Sequence, residues 1–517
     1  MCVSVKAHDQ NQHQSQHQSQ SQQSPTLVDI PEIRTSSSTF FHDFASSGAW
    51  GTHPILIRNA FQLEAQALQD ATLSSSSPWP DWEEVMELAS DEEAESRLII
   101  HDPDADANTN QNTNHQSWSL QLGPIQPHHI SQHETPDSNK KWTVVVNDVD
   151  RFHPPLSEWI STTFSHIPHW RRDDGQISLS NTGGGIGPHV DDYDVFLIQM
   201  SGKRRWDVGK RIISTKEELE GLVQDLDVRI LEFWNDKDVK QNWVDSFVLE
   251  PGDLIYLPPK FGHCGTALLD GSMTLSVGLR APSAKEMMTK MMDCVSDAVE
   301  GKILDRYTDP CLLDGHGYIR EKRDDESKDG NAKSNTNATG NRSTNELDSV
   351  VKLKAKELIR NAIHEMLDDD SQFDEFFGKL VTESKRMRLD YPVPLDDVDD
   401  EYKKELGAWG DPSSAVEAMM NGEGVLYVAE GVALAYSHLD LEKVCRLFID
   451  GKMMEIALDA GDDEADCEDR LVLNLVEHLV NDRQLCSTSF KTKFTMTKMR
   501  KTLEHLVQDG YLYGISE

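Results

Sequence analysis

In the stretch GPHVDDYDVF, Gly187–Phe196, an imidazole and a carboxylate stand two residues apart, just ahead of an apolar run. Residues two apart on a strand share a face, so His189 and Asp191 would present their side chains to one point in space. A third donor is offered by EPGDLIYLPPKFGHCGTAL, where His263 follows a Pro251-Gly252 turn, an apolar strand and a Pro-Pro corner. Two histidines and one carboxylate on a hard octahedral cation leave three cis positions open, the geometry used by non-haem Fe(II) oxygenases. Each piece also has a plainer reading: His-x-Asp pairs are common on surfaces, and a lone histidine after glycine is usually a loop residue. Against this stands the run TGGGIG, Thr182–Gly187, which lets the backbone approach closely just before His189. Charges at a strand entrance are costly, and a bound cation would offset their desolvation. Asp192 and Asp194 are expected to face the other way, solvated or paired at a barrel rim.

An oxygenase of this type needs 2-oxoglutarate, whose distal carboxylate must be paired inside the fold, and SGKRRWDVG supplies a cation. A turn at Ser201-Gly202 starts a return strand in which Arg204 and Trp206 share one face and Arg205 takes the other. Arg204 would bind the carboxylate through its planar fork. The alternative is three basic residues on an exposed hairpin.

These residues need a scaffold of strands, and the middle of the chain provides one. WTVVVNDV, QISLS, DVFLIQM, RRWDVG, SFVLE, DLIYLP and MTLSVGLR are short β-rich runs separated by Gly, Pro and Asp turns. Many short strands without long intervening helices indicate a barrel or jelly roll. Beyond them SVVKLKAKELIRNAIHEML and SQFDEFFGKLVTESKRM place apolar residues at helical spacing. RLFIDGKMMEIAL, RLVLNLVEHLVND and KMRKTLEHLVQDGYLYGI then read as a strand, helices and a closing apolar ribbon. The expected organisation is a disordered Gln/His/Ser-rich tail over 1–28 and a mainly β catalytic domain over 29–320 with a polar insertion at 102–117. A flexible linker over 321–346, a helical dimerisation segment over 347–400 and a winged-helix-like α+β module over 401–517 follow.

Composition bounds the partners. A net charge of -39 and a pI near 4.8 disfavour sequence-independent binding to nucleic acid, which needs clustered Lys and Arg, and suit a basic partner. The seven cysteines are scattered and never spaced as C-x-x-C, so neither a disulfide framework nor a zinc ribbon is indicated. With no apolar leader region and no run of about 18 apolar residues, the expected setting is soluble and intracellular, with no membrane. Cytoplasm, nucleus or nucleolus, and an organelle all stay open.

The spacing of the two histidine motifs resembles that of the cupin family. Gly183 is followed by five residues and then His189; Gly252 is followed by five residues and then Pro258, and His263 lies five positions further on, although Lys260 replaces the family's glycine. At larger scale, GGGIGPHVDDYDVFLIQMSGKRRWDVG, LEPGDLIYLPPKFGHCGTAL and SVGLRAPS closely resemble the Jumonji-type (JmjC) ribosomal oxygenases, above all the bacterial-type branch. FHDFASSGAWGTHPILIRNAF, SRLI, HIPHWRRDDGQISLS and RYTDP fall in the same order. The resemblance implies a double-stranded β-helix, with His189, Asp191 and His263 as ligands of Fe(II) and Arg204 as the 2-oxoglutarate anchor. It also places Tyr193 against the substrate side chain and Thr274 beside the cosubstrate, where an asparagine would be expected. It implies a homodimer through the helical segment and a large-subunit ribosomal protein as substrate. Histidine-hydroxylating relatives typically carry lysine at the anchor, so Arg204 points to a peptidyl-arginine 3-hydroxylase. Histidine hydroxylation of ribosomal proteins, demethylation of histone lysine, and a catalytically inactive protein-binding scaffold remain the alternatives.

Overall fold

The computed structural model describes residues 27–61, 78–104, 117–134, 138–223, 229–300, 349–383, 393–429, 431–439, 444–458, 465–489 and 495–516. The tail up to residue 26, most of the polar insertion, the linker and RYTDP lie outside them. Up to residue 300 the described chain forms strands β1 (Glu32–Arg34), β2 (Ile55–Arg58), β3 (Ser96–His101), β4 (Trp118–Leu122), β5 (Lys141–Val146), β6 (Arg172–Ser180), β7 (Asp194–Ser201), β8 (Arg204–Ile212), β9 (Val244–Leu249), β10 (Leu254–Leu257), β11 (Phe261–Ala267) and β12 (Ser272–Leu279).

Nine of these strands build one sheet in the order β1-β2-β10-β7-β12-β6-β5-β3-β4, and β11-β8-β9 build a second. Within the large sheet every pairing is antiparallel except β1 with β2. The period-two alternation of the strands decides which residues go where. Ile177 and Leu179 of β6, Phe196 and Ile198 of β7, and Met273, Leu275 and Val277 of β12 enter a core covered by helices, including Phe40–Ser47 and Pro154–Thr163. An aromatic cluster seals it: Phe44 packs on Phe196 and Tyr256 with ring centroids 5.1 and 4.9 Å apart. The opposite face of the large sheet meets the small one, where Val195 and Leu197 pack with Trp206, Val208 and Leu249. The space between the sheets is where the chemistry-bearing residues lie.

Beyond residue 348 the helices Ser349–Leu367 and Asp370–Thr382 are followed by β13 (Gly424–Val428), β14 (Leu434–Leu439), β15 (Val444–Ile449), β16 (Lys452–Ala457), β17 (Gln484–Leu485) and β18 (Leu512–Ser516). They form two three-stranded sheets, β17-β13-β18 and β14-β15-β16. RLFIDGKMMEIAL, expected as one strand, is a hairpin. Asp450 and Gly451 both take positive φ (48° and 74°) and reverse the chain between β15 and β16, the conformation that favours an Asp-Gly pair at a two-residue turn.

Candidate metal and cosubstrate site

His189 and Asp191 are not on a regular strand, contrary to the expectation, since β7 begins only at Asp194. His189 is instead held by an isolated antiparallel bridge to His263 of β11. Its N–H donates to the His263 carbonyl at 3.0 Å and the reverse bond is 2.9 Å. The glycine run makes this approach possible. A Cβ on Gly185 would sit 2.1 Å from the Gly265 carbonyl oxygen, and Gly187 takes φ 92° with the Ile230 side chain 2.2 Å from where its Cβ would be.

The three side chains converge. One donor atom from each of His189, Asp191 and His263 lies within 4.8 Å of the others. His263 Nε2 is 3.4 Å from Asp191 Oδ2, and the two imidazole centroids are 4.3 Å apart. Both imidazoles are oriented through their far nitrogens: His189 Nδ1 donates to the Gly187 carbonyl at 2.8 Å, and His263 Nδ1 to that of Phe261 at 3.0 Å. A carbonyl can only accept, so each Nδ1 carries a proton, and Nε2 is the nitrogen through which the neutral imidazole would ligate. Burial, reinforced by the neighbouring His189, pushes the His263 pKa down to about 4, so that imidazole is neutral at ordinary pH. Two imidazole nitrogens and a carboxylate oxygen suit a divalent first-row metal.

The hairpin register is as expected: Arg204 is 1% exposed, Trp206 is buried and Arg205 is exposed. Arg204 donates from Nη2 to Ser180 Oγ at 2.7 Å, with the Ser272 carbonyl at 3.5 Å. Its Nε is buried without a partner, and no carboxylate of the described residues pairs with it. Burial pushes its pKa down to about 10, which leaves it charged at neutral pH. An unpaired guanidinium at this depth costs several kcal/mol of desolvation, a cost that an incoming carboxylate would offset. Around it lie small hydroxyls: Ser180 bonds Thr143 Oγ1 at 2.9 Å, and Thr274 Oγ1 donates to Gln199 Oε1 at 3.0 Å. Thr274 is buried on β12, two residues along the same face from Ser272.

Tyr193 lies two residues beyond Asp191 and is half-buried. Burial, then the neighbouring carboxylates of Asp191, Asp174 and Asp173, hold its phenol well above the usual range, so it stays protonated. Asp192 pairs with Lys260 at the rim, as expected. Asp194 does not: it is buried in the wall, bonded by Arg171 Nη2 at 2.9 Å and by the Tyr256 hydroxyl. The tyrosine hydroxyl and the arginine replace water there, which allows a carboxylate to start a buried strand.

Sequence reasoning missed Ser180, Gln199 and Asp174. For Asp174 and Ser180 the signal lies in DDGQISLS, where Asp174, Gln176, Ser178 and Ser180 alternate with Gly175, Ile177 and Leu179, a polar face too regular for a dry sheet; Gln199 stands near the end of the apolar run of β7. Elsewhere, a polar cleft at the junction with the C-terminal part is lined by Asp150, His169, Arg172 and Arg483. There His169 Nδ1 is 3.2 Å from Arg483 Nη1, and burial followed by Arg483 and Arg172 lowers its pKa, so it meets a guanidinium where a ligand histidine would meet a metal.

Comparison with known proteins agrees with this geometry. Residues 160–287, which contain every site residue named in the sequence analysis, match the JmjC domain family. The chain is 31% identical over 268 residues to the ribosomal protein uL16 3-hydroxylase of Escherichia coli (strain K12), covering 50% of this chain and 58% of that protein. It is 30% identical over 244 residues to the probable ribosomal oxygenase of Haemophilus influenzae, covering 46% and 49%. The aligned region thus spans about half the length of these curated relatives. Among solved structures, the Escherichia coli ribosomal oxygenase YcfD in complex with cobalt and 2-oxoglutarate superposes with a TM-score of 0.57 at 22% identity, covering 92% of this chain and 98% of that one. A further X-ray structure of YcfD gives a TM-score of 0.59 at the same identity and coverage. No helix among the described residues is long and apolar enough to cross a membrane. The chain therefore carries a JmjC domain over residues 160–287, within a fold shared with the Escherichia coli ribosomal oxygenase.

Proposed function

We propose that this protein is an Fe(II)- and 2-oxoglutarate-dependent dioxygenase that hydroxylates a side chain of a ribosomal protein, with arginine the favoured target. The observation that carries the reading is Arg204, a buried guanidinium without a carboxylate partner among the described residues, between the same two sheets as the His189–Asp191–His263 cluster. Iron with 2-oxoglutarate supplies dioxygen chemistry that inserts one oxygen atom into a carbon–hydrogen bond, with release of succinate and carbon dioxide. The protein's residues supply placement. His189, Asp191 and His263 would hold the metal. Arg204 and the Ser180 hydroxyl would fix the distal carboxylate, and Thr274, tied to Gln199, would border the cosubstrate. The packed sheets exclude water, so that metal, cosubstrate and target carbon stay in line.

Three observations favour arginine. The anchor is Arg204 where histidine-hydroxylating relatives typically carry lysine; a relative at 31% identity is named a uL16 3-hydroxylase; and the surroundings of Tyr193 are acidic, with Asp173 and Asp174. Acidic surroundings suit a cation, and a methylated lysine is also a cation, so the panel has to separate them. Arginine-, histidine- and trimethyllysine-containing peptides, offered in parallel with iron and 2-oxoglutarate, should show a mass gain of one oxygen on arginine alone. Formaldehyde from the methylated peptide, with no oxygen gained on arginine, would assign the protein to the demethylases. Purified ribosomal proteins treated in the same way would identify the substrate. The site's complete donor set argues against an inactive scaffold, and the setting that fits a ribosomal substrate is the interior of the cell.

The helices after residue 348 support the homodimer reading. Leu353, Ile359, Leu367 and Phe373 are exposed on them, as are Met288 and Met292 on the helix Ala284–Glu300. So many large apolar side chains on neighbouring helices call for a covering surface. Light scattering of the full chain should give twice the monomer mass at micromolar concentration; a monomer throughout that range would reject the dimer.

A further inference from the structure

Lys260 occupies the left-handed region of backbone space, φ 67°, one position before the strand that carries His263. A β-carbon crowds the following carbonyl there, which is why glycine is the ordinary choice. A long charged side chain at such a place calls for compensating contacts, and the structure shows four. The Lys260 N–H donates to the Asp191 carbonyl at 2.8 Å, and its carbonyl accepts from the Ile213 N–H at 2.9 Å. Its ammonium pairs with the Asp192 carboxylate and, at 2.8 Å, with Glu218 Oε2. Glu218 sits on the helix Thr215–Gly221, whose start is fixed by a Ser214–Glu217 capping box, and its side chain is 4% exposed. These contacts matter because residues 190–193, which carry Asp191, belong to no strand.

Resting on the metal-binding reading above, we propose that Lys260 is a positioning residue: it clamps the Asp191–Asp192 segment to the His263 turn and to buried Glu218, and so presets the Asp191 carboxylate against His263 for the divalent cation. Two other roles for Lys260 predict different results. As a mere positive charge near a dication it would weaken metal binding, and its removal would tighten it. As a surface ion pair with Asp192, whose side chain is 70% exposed, it would contribute almost nothing. Only the clamp predicts a loss of metal affinity that a second cation of similar length restores.

The test is a calorimetric titration of the full-length protein with Co(II) alone, together with the visible absorption of the cobalt-loaded protein, for wild type, K260R, K260M and K260G. The expected result is that K260M and K260G weaken cobalt binding about tenfold or more, the range typical of contacts that orient metal ligands, and broaden its absorption bands, while K260R stays within a few-fold of wild type. K260G relieves the backbone strain and should unfold no earlier than K260M, which separates loss of the clamp from loss of the fold. Wild-type or tighter cobalt affinity in K260M and K260G would overturn the clamp while leaving the metal site in place. No cobalt binding by the wild-type protein would remove the metal reading and the clamp with it.

Discussion

His189→Ala and Asp191→Ala should each leave a folded protein that neither holds a divalent cation nor consumes 2-oxoglutarate. The fold is expected to survive because neither side chain contributes to the helix-covered core, and because the bridge between His189 and His263 is made by main-chain atoms. Function is expected to fail because the donors converge without redundancy: among the described residues the cluster that can hold a metal is His189, Asp191 and His263. Contacts that merely orient metal ligands typically change affinity by about 10–100-fold, so losing a ligand itself should exceed that range and take turnover below detection. Removing Asp191 has a second consequence. It leaves two neutral imidazoles with no charge to balance the cation, so it should be at least as damaging as removing His189. Cobalt titration and succinate release, measured beside a thermal unfolding curve, check both points. Full turnover in either variant would remove the central claim.

Why so much of this site was legible, and what was not, follows from the range of the interactions. Seven of the β-rich runs are strands β5 to β10 and β12, because alternation and turn residues are local signals that the backbone obeys locally. The in-and-out pattern of Arg204, Arg205 and Trp206 was readable for the same reason. By contrast, β11, which carries His263, was not singled out as a strand. FGHCGTA is poor in apolar residues, and it is held as a strand by its ladder to β8, whose partners lie 49 to 63 residues earlier in the chain. The strand expected at His189 is likewise a bridge to that distant segment. Asp194, expected at the rim, is buried because Arg171 and Tyr256, far apart in sequence, meet it in the wall. Lys260 shows in the sequence only as a departure from a glycine; its positive φ and its four contacts needed the fold to be seen.

Replacing Arg204 should separate binding from stability more cleanly than any other change at the site. Deleting one partner of a buried, hydrogen-bonded charge pair costs about 3–5 kcal/mol, so Arg204→Ala should raise the 2-oxoglutarate requirement by roughly two to three and a half orders of magnitude. In the free protein, however, Arg204 is desolvated without a carboxylate partner among the described residues, and its Nε is unbonded. Removing its charge therefore relieves a cost that the folded state bears. Arg204→Met, which keeps much of the volume beside Trp206, should accordingly unfold no earlier than wild type while binding the cosubstrate as poorly as the alanine variant. Arg204→Lys should fall between, because an ammonium preserves the charge but cannot reproduce the planar two-point fork. Arg205→Ala supplies the internal control. Its side chain is 44% exposed and pairs with Asp207 at 3.3 Å, an arrangement worth less than about 1 kcal/mol, so the cosubstrate requirement should hardly move. Dependence of the succinate-release rate on 2-oxoglutarate concentration, measured for all four variants, decides the matter. If Arg205→Ala were the damaging change and Arg204→Ala the silent one, the hairpin would pair one residue out of the register found here, and the carboxylate anchor would lie on the other face of β8.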